Sequence, residues 1–149
     1  MTIQPVTEND LENCAKVYVQ TYNQAPWNYQ WEFKDALNYL AEYRSSPQFK
    51  GFVLYDHDVF AGAIFAHTKT WWNGSQLYID ELFISPHAQK KGYGKALMNY
   101  AGQYAQENGL GTITLMTHKF MPSMKFYEGL DFVHAQPFVI LFKQMGGYD

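Results

Sequence analysis

The chain has 149 residues, a formal charge of −3 and one cysteine, Cys14. A chain of this length can bury roughly two thirds of its unfolded surface, so it needs no disulfide staple, and one cysteine forms none within the chain. The acidic balance argues against a nucleic-acid binder, and no run approaches the ~20 apolar residues that span a bilayer. The N-terminus, MTIQPVTENDLE, lacks the basic flank and apolar core of a secretory signal. The expectation is one cytoplasmic domain over residues 1–149, away from membranes.

TIQPV (2–6) opens the chain as a strand. Thr7 can cap a helix and Asp10 stands three positions on, close to a capping box, ahead of Leu11, Cys14, Tyr18 and Tyr22 at helical intervals. QAPWNYQ (24–30) breaks that pattern with a proline. A second helix is predicted with Phe33, Leu37 and Leu40 on one face and Arg44 in its last turn. FVLYD (52–56) and VFAGAIFAHT (59–68) read as two strands joined by a hairpin turn at Asp56-His57-Asp58. WWNGS (71–75) reads as another turn, and LYIDELFIS (77–85) as a strong strand. Residues 93–107 carry an apolar stripe of Ala96, Leu97, Tyr100, Ala101 and Tyr104, with Gly109 suited to a left-handed C-terminal cap. TITLMT (112–117) predicts a strand and PSMKFYEG (122–129) a short helix with proline in its first turn. FVHA (132–135) and FVILFK (138–143) predict a closing hairpin around Gln136-Pro137. The order is β-α-α-β-β-β-α-β-α-β-β: an α/β chain with a mostly antiparallel sheet and one β-α-β crossover over 77–117.

That crossover contains QKKGYGKAL (89–97). A glycine-rich turn opening a helix offers unpaired N–H groups and the positive end of the helix dipole to an anion. Gly92 and Gly94 remove side chains that would keep a phosphate away, and Lys90, Lys91 and Lys95 add attraction. A dinucleotide fingerprint needs a third glycine where Leu97 stands, and a Walker loop needs Ser or Thr where Ala96 stands. On these nine residues alone, an anion cradle and a flexible turn both stay open.

The wider stretch LYIDELFISPHAQKKGYGKAL (77–97) resembles the central strand-loop-helix motif of the GNAT family of N-acetyltransferases. There a Gln/Arg-x-x-Gly-x-Gly/Ala loop follows a strand ending near a proline. KFYEGLDF (125–132) is similar to the family's later motif, and the element order is the family's order. The resemblance implies the acyl-CoA N-acyltransferase fold and acetyl-CoA as cofactor. It assigns the pantetheine arm to Leu82, Phe83 and Ile84, and the pyrophosphate to Gln89, Lys90, Lys91, Gly92, Tyr93, Gly94 and Lys95. Ser123 and Phe126 on the later helix would also line the cofactor. Three positions depart from the family pattern: Phe120 replaces a frequent asparagine, Ser123 an alanine, and Asp131 the glycine of a Gly-Phe pair.

Acetyl transfer to an amine must first remove a proton. At pH 7 only about one alkylamine in 10³ is neutral, a handicap of roughly 4 kcal/mol. By resemblance Tyr127 is the acid for the leaving thiolate, with core packing as its alternative. Glu81 is the first candidate base and Asp80 the second, with a structural ion pair as the alternative for either. Strict alternation puts Ile79, Glu81 and Phe83 on one face, so one carboxylate alone would reach the cleft unless a bulge resets the register. His118 ends a strand near the expected cleft and His67 ends an earlier one; no residue spacing suggests a metal site. Trp27 and Trp31, with Trp71 and Trp72, are the candidate acceptor wall for a cationic amine, or else cover the core or a contact between two copies in a homodimer. The expected partner is a small-molecule or protein amine. A non-catalytic acyl-CoA-binding module and a nucleotide-phosphate binder are the competing functions.

Overall fold

A computed structural model describes residues 1–146. They divide into two units, Met1–Met116 and the residues from Thr117 onward.

The first unit is built on a five-stranded sheet in the order β1-β2-β3-β4-β5. The strands are β1 (Thr2–Pro5), β2 (Phe49–Asp56), β3 (Val59–Lys69), β4 (Gln76–Ile84) and β5 (Thr112–Leu115). The first four pair antiparallel and β5 joins β4 in parallel, so the sheet is mixed as expected. The parallel pair is reached through α3 (Tyr93–Glu107), because parallel neighbours need a crossover. His57 and Asp58 both have positive φ, +51° and +64°, which lets a two-residue turn follow the strand twist between β2 and β3.

Helices α1 (Leu11–Tyr22) and α2 (Phe33–Arg44) cover one face of this sheet. Their core holds Leu11, Cys14, Ala15, Tyr18, Ala36 and Leu40 against Val53, Ala63, Phe65 and Phe83. The start of α1 is fixed by the Thr7 N–H and hydroxyl, which both donate to the Asp10 carboxylate at 2.8 and 3.0 Å. Phe52 points the other way from Val53 and meets Tyr100 and Tyr104 of α3, with Leu97, Met98 and Ala101 buried on that side. Of the face predicted for α2, Leu40 is buried but Phe33 lies 44% exposed, since it sits in the first turn beyond the reach of the core.

The second unit contains α4 (Ser123–Glu128). Tyr127 packs edge-on against Phe126 at 5.1 Å and Phe132 at 5.6 Å. The predicted closing hairpin does not form. Residues 132–143 hold no strand, and Phe138 through Phe142 are all exposed. A run such as FVILF has strand propensity, but a strand exists only where another supplies its hydrogen bonds, and pattern alone does not provide that partner.

Candidate active site

The chemistry of β4 is set by a bulge. Phe65 pairs with Glu81 and Ala66 with Ile79, which leaves Asp80 as the extra residue. Consecutive residues of β3 point to opposite faces, so Glu81 and Ile79 do also. The expectation that Ile79 shares a face with Glu81 is therefore corrected. The extra residue resets the alternation and turns both carboxylates toward α1 and α2, where Asp80 and Glu81 line one cleft of about 340 Å³.

Tyrosines build the rest of its wall. Tyr18 and Tyr22 come from α1, Tyr39 and Tyr43 from α2, Tyr29 from the connection between them and Tyr78 from β4. Tyr39 and Tyr18 both donate to Oε1 of Glu81, at 2.7 and 3.2 Å. Oε2 of Glu81 takes no hydrogen bond among the described residues. Nor is it sealed from solvent, because Arg44 Nε is the only sealed, unpartnered polar side-chain atom among those residues. Burial pushes the Glu81 carboxyl up to about 7, against the two tyrosine hydrogen bonds that favour its charged form. The same environment raises Tyr18 and Tyr39, through burial and the nearby Glu81 charge.

Asp80 has a different partner. Its Oδ2 lies 2.7 Å from Nδ1 of His67, and its side chain is only 7% exposed. Burial raises its carboxyl and the His67 contact opposes that rise. His67 in turn stacks on Tyr78, with centroids 5.3 Å apart.

The end of β4 and the glycine loop present groups that could hold an anion. Gly92 caps α3 in a left-handed conformation, φ +85°, with nothing within 4 Å of the position a Cβ would take. No side chain caps this helix, and its first i to i−4 bond runs from Ala96 to Gly92, so the N–H groups of Tyr93, Gly94 and Lys95 lack helical acceptors. Lys90, Lys91 and Lys95 are exposed around them. Gln89 ties the loop to β4 by donating to Ile84 O at 3.1 Å. Tyr93 donates to Asp56 at the end of β2, which fixes the helix start. These groups fit a pyrophosphate. Beyond Ile79, β4 has no pairing with β5, so the segment holding Leu82, Phe83 and Ile84 is paired through β3 alone. Thr21 and Tyr22 of α1 donate to Ile84 O and Leu82 O at 3.1 and 3.3 Å.

The tryptophans stand elsewhere. Trp31 packs against Tyr18 and Tyr39 at 5.4 and 5.2 Å, and Trp27 against Tyr22 at 5.3 Å, so both back the tyrosines rather than line the 340 Å³ cleft. Trp71 and Trp72 occupy the β3–β4 turn, 46% and 85% exposed, and line no part of it. In the second unit, the Ser123 and Thr117 hydroxyls meet at 2.8 Å, and Nδ1 of His118 accepts from the Phe120 N–H at 3.1 Å. Tyr127 and Phe126 are half-buried there on α4. Among the described residues no cluster of three or more His, Cys, Asp or Glu could hold a metal. The tyrosine wall went unnoticed in the sequence, although Tyr18/Tyr22 and Tyr39/Tyr43 both have the i, i+4 spacing that stacks side chains on one helix face.

The fold has counterparts among known proteins. The model of the acetyltransferase (GNAT) family matches residues 15–132. The chain belongs to the GNAT acetyltransferase family, whose members generally use acetyl-CoA. Among solved structures, it is similar to a possible acetyltransferase from Clostridium difficile 630, at 18% identity and a TM-score of 0.81, covering 97% of this chain and 98% of that one. A transcriptional regulator from Bacillus halodurans C-125 superposes at 20% identity and 0.78, over 95% and 99% of the two chains. An aminoglycoside 6'-N-acetyltransferase from Acinetobacter haemolyticus superposes at 13% identity and 0.76, over 98% and 100%. At these identities the likeness is one of fold. Among curated protein sequences none matches the chain significantly. No helix among the described residues is long and apolar enough to cross a membrane.

Proposed function

We propose that the chain is a single cytoplasmic N-acetyltransferase domain that moves an acetyl group from acetyl-CoA to a primary amine of a small molecule or protein. The observation that carries this reading is Glu81. Its Oε1 is pinned by two tyrosines, its Oε2 takes no hydrogen bond among the described residues, its side chain lines the cleft, and burial raises its carboxyl to about 7. A base with that value is ionised half the time at neutral pH and still holds a proton well, the compromise that general-base catalysis rewards.

Acetyl-CoA would supply an activated thioester. The N–H groups of Tyr93, Gly94 and Lys95 would hold its pyrophosphate, with Gln89, Lys90, Lys91 and Gly92 shaping the loop and Leu82, Phe83 and Ile84 lining its arm. Glu81 Oε2 takes a proton from the entering ammonium, directly or through water. Tyr127 is assigned the proton that the departing thiolate needs, and Ser123 and Phe126 neighbour it on α4. The tyrosine wall favours a cationic acceptor through ring-face attraction. The solved 6'-N-acetyltransferase of similar fold acts on an aminoglycoside, which makes amino sugars one class to include among acceptors.

Calorimetry with CoA, ATP and NAD, followed by an amine panel with acetyl-CoA, tests this. Tight CoA binding with acetylated product is expected. CoA binding with no product from any amine would favour a non-catalytic acyl-CoA-binding module, and ATP binding that CoA cannot displace would remove the cofactor assignment.

A further inference from the structure

We propose that the acceptor is a small dication, whose reacting amine meets Glu81 while a second ammonium is held by Asp80. This rests on the transferase reading and narrows its substrate. The two carboxylates have separate partners and separate free oxygens. Glu81 spends Oε1 on Tyr18 and Tyr39, and Asp80 spends Oδ2 on His67. Oε2 of Glu81 and Oδ1 of Asp80 take no hydrogen bond among the described residues, and neither is sealed from solvent.

Because Asp80 is the bulged residue, both carboxylate side chains lie on one face and line one cleft. Successive Cα atoms lie about 3.8 Å apart, so ammonium groups a few carbons apart reach both carboxylates. Among the described residues no lysine or arginine lines the cleft to neutralise them. Nearby, the His67 ring on β3 holds Asp80 in place, and the Lys69 Nζ lies 6.0 Å from the centre of the Tyr78 ring. From α2, Tyr43 faces the same pair of charges. Tyr78 and Tyr43 give the second ammonium aromatic surface as well as charge.

The step balances simply. The reacting ammonium gives one proton to Glu81, its nitrogen bonds to the acyl carbon of the thioester, the carbon–sulfur bond breaks, and a second proton from that nitrogen ends on the departing thiol, after which Glu81 returns its proton to water. The second ammonium keeps its protons and its pairing with Asp80 throughout. The product has lost one of two cations, so it binds less well than the substrate. The expected product is therefore acetylated once.

The test compares 1,4-diaminobutane with butylamine. In the unaltered chain kcat/KM should favour the diamine by about tenfold or more, the worth of one charge-assisted contact. Asp80→Asn should shrink that ratio toward one, and His67→Gln should shrink it in part, which keeps the test alive if the first variant folds poorly. A ratio near one in the unaltered chain, or one that survives both substitutions, overturns the proposal. Titrating each amine against the tyrosine ring resonances without acetyl-CoA separates the two levels. Preferential diamine binding with no acetyl transfer supports the dication site and sinks the transferase reading. Transfer and binding without preference do the reverse.

Discussion

Replacing Glu81 by Gln keeps the shape of the side chain and an oxygen for Tyr18 and Tyr39, but removes the proton acceptor. General-base catalysis contributes about 10²–10⁴ in rate, so kcat should fall at least about 100-fold. The wild-type rate should climb as pH rises through about 7, where the Glu81 carboxyl ionises, while the variant's residual rate should lack that limb. Stability carries an independent signature. The folded carboxyl rises from the usual 4.5 to about 7, so between those values the folded chain keeps a proton that the unfolded chain has lost. Stability then falls as pH rises across that window. At about 1.4 kcal/mol per pH unit, the wild type should lose about 3 kcal/mol relative to the variant between pH 4.5 and 8. Urea unfolding of both proteins at the two pH values measures the double difference. If the two stabilities run parallel, or the variant keeps more than a tenth of the rate, Glu81 is not a buried base.

Tyr39→Phe removes the 2.7 Å hydrogen bond that favours the charged carboxylate, so the midpoint of the pH–rate profile should move up by roughly one pH unit. An unmoved midpoint would mean that the bond does not govern the base. Gly92→Ala meets no neighbour but puts a side chain at φ +85°, a strain of about 1 kcal/mol that should lower Tm by roughly 3 °C. Calorimetry should also show CoA affinity reduced about fivefold or more; unchanged affinity would make the loop a turn only. Gly62→Ala would bring a Cβ within 2.7 Å of Phe83 O, so β4 must shift and the variant should unfold at distinctly lower urea, whereas a wild-type midpoint would contradict the register. Tyr127→Phe should cut the rate about 100-fold with CoA affinity held within about twofold, and a near-normal rate would return Tyr127 to a packing role.

Much of the fold was legible because its signals are local. The Thr7–Asp10 pair marks the entry to α1, the apolar stripe marks α3 over 93–107, and Asp56-His57-Asp58 marks a turn; each depends on residues within one or two turns of chain. The closing hairpin was not, because FVILFK reads as a strand whether or not another strand pairs with it. The glycine loop was legible as the turn that opens α3, although the lysines were more visible in the sequence than the uncapped N–H groups beneath them. The cleft itself was half legible. Asp80 and Glu81 stood out as charges inside an apolar strand, but their common face comes from a bulge opposite Phe65 and Ala66, and register belongs to a pair of strands rather than to one. The tryptophans drew attention by size, yet the tyrosines at helical spacing made the wall.

The most direct measurement is thiol release from acetyl-CoA with and without amines, run beside the Glu81→Gln variant, with the amine products weighed by mass spectrometry. Release that depends on the amine, yields the acetylated amine and falls at least about 100-fold in the variant is the predicted result. Equal release without any amine, or none at all while CoA binds, would contradict it.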